Sequence, residues 1–106
     1  MARAIQADPK ENAPAFLEVL ARTYEGMLRV ASKRLGEALR SGRARRDGRR
    51  RDTVLRQYNL RLDGPALAEL NERLQSLSDF LRDQEQQERG GFYTVTFALS
   101  PESSEG

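Results

Sequence analysis

Arginines are the side chains best placed to do chemistry in this sequence. Six of them, Arg43, Arg45, Arg46, Arg49, Arg50 and Arg51, crowd the stretch SGRARRDGRRR, with Gly48 interrupting the run. A cluster of this kind is the footprint of contact with nucleic acid or with an acidic partner. Contact with phosphate would release counterions, so binding would weaken steeply with salt. No aromatic residue lies within the run to stack on bases, and short basic tracts are weakly specific. A solvated loop facing the acidic helix that carries Glu69 to Glu88 is the plainer reading.

Carboxylates are the second candidates. Asp79, Asp83, Glu85 and Glu88 gather near the end of that helix, with Asp79 and Asp83 one turn apart. A general acid needs burial to raise its pKa, and nothing in the pattern buries these groups. They read as a solvated helix end. Cysteine and histidine are both absent. Their absence removes disulfides, cysteine nucleophiles, thiolate and imidazole metal sites and the commonest general base. We therefore expect a protein that is not an enzyme and uses no metal or cofactor.

Aromatic residues form the third set. Tyr24, Tyr58, Phe80, Tyr93 and Phe97 could line an effector pocket. The hydroxyls of Tyr58 and Tyr93, together with Arg56, would suit an anionic or aromatic ligand. Ordinary core aromatics are the simpler assignment, because a pocket needs polar groups set among apolar ones.

The elements that must position these residues follow from periodicity. Val54, Tyr58, Leu60 and Leu62 recur at a spacing of two, interrupted by Arg56, and predict a half-buried strand over 53–62. Asp63 offers an oxygen to the free amides of a helix start, and Pro65 fits the first turn. Leu67, Leu70, Leu74, Leu77 and Leu81 then fall at steps of three and four, one narrow stripe on a helix. Upstream, Asn12 and Pro14 suggest another helix start. Phe16, Leu20, Tyr24, Met27, Ala31, Leu35 and Ala38 mark a face through about Arg40. Phe92 to Leu99 alternates as a second strand. Residues 1–11 read as loose and 101–106 as a disordered tail, leaving 12–100 as a single α+β domain.

The chain is near the lower end of the common domain size range, with 38% hydrophobic and 32% charged residues. Domains this small are often helped by oligomerisation, and Phe16, Leu20, Met27, Leu35 and the five leucines of the second helix are the expected packing surface, either within the chain or against a second copy. The net charge of +2 hides strong segregation. Arg29 to Leu62 holds 12 basic and 3 acidic residues, whereas Asp63 to the end holds 3 basic and 9 acidic. No apolar run approaches the roughly 20 residues needed to span a bilayer, and no signal peptide is evident. A cytoplasmic protein with no membrane partner is expected.

This order of elements resembles the C-terminal half of bacterial helix-turn-helix regulators of the ArsR-like winged-helix superfamily, over about residues 12–100. The phrases LRLDGPALAELNERLQSL and FYTVTFALSP carry the likeness. The resemblance implies an α+β homodimer of two long helices and two strands per chain. It further implies a dimerisation and effector-sensing role in transcription regulation, with an effector of unknown identity. DNA would be read by a winged-helix domain, which the 11 residues before the first helix cannot supply; failing that, it would be touched weakly by the Arg43–Arg51 loop. The alternatives are a small nucleic-acid-binding protein acting through that loop, and an interaction adaptor or antitoxin pairing through its helices.

Overall fold

The computed structural model describes residues 13–102. The expected loose segment 1–11 and the tail from residue 103 lie outside the described residues. Among them the regular elements are two helices, α1 (Pro14–Arg40) and α2 (Gly64–Gln84).

Helix α1 runs for 27 residues, about 40 Å at the usual rise. Its cap is Ala13, extended in backbone and without a side-chain hydrogen bond, and Pro14 supplies the preset φ of a first helical residue. Asn12, expected near the start, falls outside the described residues. The other end is closed more fully. The Ser41 hydroxyl donates to the Ala38 carbonyl at 2.7 Å, and the Ser41 and Gly42 amides donate to Glu37 and Leu39 at 2.9 and 3.2 Å. Gly42 then takes φ +77°, the left-handed turn that ends a helix at low cost in glycine.

Helix α2 runs for 21 residues and starts where Asp63 and Pro65 direct. Asp63 Oδ1 accepts from the Ala66 amide at 2.9 Å, which satisfies one of the free donors of the first turn. At the far end the Glu85 amide donates to Arg82, the Gln87 amide to Gln84, and Gly90 turns the chain at φ +92°. The exposed pairs Glu18–Arg22 and Glu69–Arg73 lie one turn apart on their helices. Each contributes about 0.3–0.5 kcal/mol.

The expected α+β class is not what forms. Neither 53–62 nor 92–99 is a strand, and the described residues contain helix and irregular backbone only. The physical reason lies in pairing. Alternation in Val54–Leu62 and Phe92–Leu99 says which side chains share a side of an extended segment, but a strand exists only when another backbone supplies its ladder. Among the described residues no backbone–backbone hydrogen bond outside the helices involves 54–62 or 92–99, and the Thr53 amide is taken by the Arg45 carbonyl.

The described chain divides into two units. One comprises α1, the loop that follows it through Thr53, and residues 94–102; the other is Val54–Tyr93, which contains α2. Neither has a buried apolar side chain, and Thr53 is the single buried residue described. On α1, Leu20, Ala31, Leu35 and Ala38 are half-buried, while Phe16, Tyr24 and Met27 are exposed. On α2, Leu70, Leu74 and Leu81 are half-buried, with Leu67 and Leu77 just on the exposed side. The expected packing faces thus range from half-buried to exposed, and none of their described residues is buried.

Candidate functional site

The Arg-rich stretch is an ordered loop, and short-range hydrogen bonds explain how. Its departure from α1 is fixed by the Arg43 amide, which donates to the Ser41 hydroxyl at 3.1 Å. Its interior turns at Gly48, whose φ of +88° only glycine adopts easily. The Gly48 carbonyl accepts from the Arg51 amide at 3.3 Å.

A clasp between Arg45 and Asp52 closes the loop. The Arg45 carbonyl accepts from the amides of Asp52 and Thr53 at 2.9 and 3.1 Å. In return Asp52 Oδ1 accepts from the Arg45 amide at 2.8 Å and from the Thr53 hydroxyl at 2.9 Å. The Arg45 guanidinium stands 3.7 Å from Asp52 Oδ2. The Arg45 amide, the Thr53 hydroxyl and the Arg45 charge hold the Asp52 carboxyl below its ordinary value, against a smaller opposing effect of desolvation. Thr53 owes its burial to this clasp, not to an apolar core.

The clasp separates arginines that the sequence presents as equivalent. Arg45 holds the loop shut. Arg43, Arg46, Arg49, Arg50 and Arg51 are exposed, and among the described residues none of them forms an ion pair with a carboxylate. Asp52 and Thr53, which the spacing of charged residues does not single out, complete the arrangement. The only signal that could have found them is an Asp seven residues beyond Arg45 across a Gly turn, a weak pattern taken alone.

The proposed effector residues are divided between the two units. Tyr24 and Phe97 belong to the unit of α1; Arg56, Tyr58, Phe80 and Tyr93 belong to the other. All six are exposed, with Tyr58 72% and Tyr93 67% open to solvent. Two surface depressions are open grooves elsewhere. One runs along α2 past Pro65, Glu69, Glu72 and Arg73; the other lies at the end of α1 beside Leu39, Gly42, Ala44 and Arg46.

The carboxylates near the end of α2 are also solvated. Asp79 Oδ1 accepts from Gln75 Nε2 at 3.0 Å and from Arg82 at 3.2 Å, the ordinary pairing of a helix surface. Among the described residues no group of three or more carboxylates is placed to hold a metal ion, and no helix is long and apolar enough to cross a membrane. Compared with protein-family models, with curated proteins and with solved structures, the chain shows no significant match.

Proposed function

We propose that the chain is a non-enzymatic pairing module that builds its hydrophobic core with a second copy of itself, the dimerisation half of a cytoplasmic bacterial transcription regulator. One observation carries this reading: two amphipathic helices form, yet no apolar side chain among the described residues is buried. Amphipathic helices draw most of their stability from burying the apolar face, and exposed apolar patches of this extent mark association surfaces. Opposite charge on the two parts of the sequence favours a second copy as the occupant. A surface carrying both signs can complement itself about a two-fold axis. The resemblance of LRLDGPALAELNERLQSL and FYTVTFALSP to ArsR-like regulators points the same way. Effector sensing is a consequence of pairing in this reading, because open aromatics such as Tyr58 and Tyr93 hold a small molecule only once walled in.

Sedimentation equilibrium tests the proposal. The expected mass is twice the 12.0 kDa of the chain, with a thermal midpoint that rises with protein concentration. A monomer that melts cooperatively at a concentration-independent temperature would end this reading.

A further inference from the structure

We infer that the clasped loop 43–53 is a preformed site for the phosphate backbone of nucleic acid. Arg43, Arg46, Arg49, Arg50 and Arg51 are its contacts, and Arg45 and Asp52 are its latch. This goes beyond the pairing role above and stands independently of it. Three observations converge on the loop. Its ends are locked by four hydrogen bonds among Arg45, Asp52 and Thr53. Five exposed guanidinium groups project from it without a carboxylate partner among the described residues. Of the two acids it contains, Asp52 is turned onto the latch, which leaves Asp47 alone to oppose those five charges.

The chemistry of the group selects phosphate. Arginine presents planar paired donors that fit phosphate oxygens bidentately, and every basic residue of the loop is arginine. The loop has no aromatic to stack on a base, so it touches backbone and reads no sequence. The latch adds preorganisation. A loop already closed loses less conformational entropy on binding than a free chain carrying the same charges. An acidic surface on a protein is the competing partner, and the experiment separates the two.

A fluorescein-labelled DNA duplex of mixed sequence is titrated with the full chain, with anisotropy as readout. With five phosphate contacts, affinity is expected to fall about 500-fold between about 50 and 200 mM salt. Replacing the five contact arginines with Ser, leaving Arg45 and Asp52 in place, is expected to abolish binding at the lower salt while helical circular dichroism is kept. Should that variant not fold, Arg49→Ser and Arg50→Ser singly are each expected to reduce the salt slope by about 1.

Asp52→Ala discriminates further, because charge and latch predict opposite signs. Removing a negative charge alone would tighten binding, whereas unlatching the loop weakens it, and a several-fold weakening is expected. Tighter or unchanged binding by Asp52→Ala overturns the latch. No binding at low salt, or binding that survives the serine replacements, overturns the site. Serine replacements that change the chain's own association without altering DNA binding place the loop against protein acid, and equally overturn it.

Discussion

Residues 45–53 and residues 54–62 adjoin in the sequence and satisfy their polar groups in opposite ways. The first stretch closes on itself, and the Arg45 carbonyl and Asp52 carboxylate absorb donors that would otherwise face water. The second makes no backbone–backbone hydrogen bond among the described residues, and holds Leu55 and Tyr58 each 72% exposed. Phe92–Leu99 behaves like the second stretch, with Phe92 fully exposed. The contrast shows which needs a short chain can meet by itself. A polar loop finds partners a few residues away. An apolar segment needs a surface, and among the described residues none of its side chains is buried.

The comparison can be broken hardest on the apolar side. Val95→Asp combined with Phe97→Asp places two charges on the exposed apolar segment Phe92–Leu99, which a second copy would cover together with the helical faces. An unpaired buried charge costs about 3 kcal/mol or more, so the sedimentation mass is expected to drop to that of one chain, and the melting transition to lose its concentration dependence. A double variant that still sediments as a pair would show that Phe92–Leu99 lies outside the interface.

Gly48→Ala attacks the polar side. Its φ of +88° penalises a side chain although space is open around it. The cost should be about 1–2 kcal/mol, localised to the loop. Faster exchange of the Arg51 amide, without change in the helical signal, is the expected result.

Asp63→Ala tests a purely local contact of α2. Loss of the bond to the Ala66 amide should cost about 1 kcal/mol and fray the first turn, visible as a lower thermal midpoint. Asp63→Asn should retain most of that stability.

The smallest effect concerns pH. Asp52 is held below its ordinary pKa of 3.8 mainly by the Arg45 amide. Its contribution is therefore complete above 3.8 and is lost as pH falls through the lower value of the folded state. Protection of the Arg45 amide, followed by NMR, should hold down to that point and vanish below it while the helices persist. Protection that disappears well above 3.8 would mean that Asp52 does not hold the latch.

Much of the helical structure is legible in residue order, and particular positions show why. Pro14, Asp63 and Pro65 mark starts, Ser41 and Gly42 mark an end, and the leucine spacing from Leu67 to Leu81 marks a face. Each of these signals acts over about four residues, the reach of a helical hydrogen bond. Val54–Leu62 and Phe92–Leu99 show the opposite case. Their alternation is as clear as any helical period, yet no ladder forms, because pairing depends on backbone far away in sequence. The candidate site divides in the same way. Six arginines are visible as a cluster, but nothing in their spacing says that Arg45 is spent on Asp52 while the other five stay open.

By itself, then, the sequence determined the two helices with the Ser41–Gly42 end and the Asp63 cap, the separation of basic from acidic residues, and the lack of any thiol or imidazole. Only the tertiary structure decided that the alternating segments remain unladdered, that the Arg loop is latched through Asp52 and Thr53, and that no apolar side chain among the described residues is buried. Local hydrogen bonds are chosen by neighbours a turn away, whereas ladders, latches and burial are chosen by whatever the rest of the chain brings within reach.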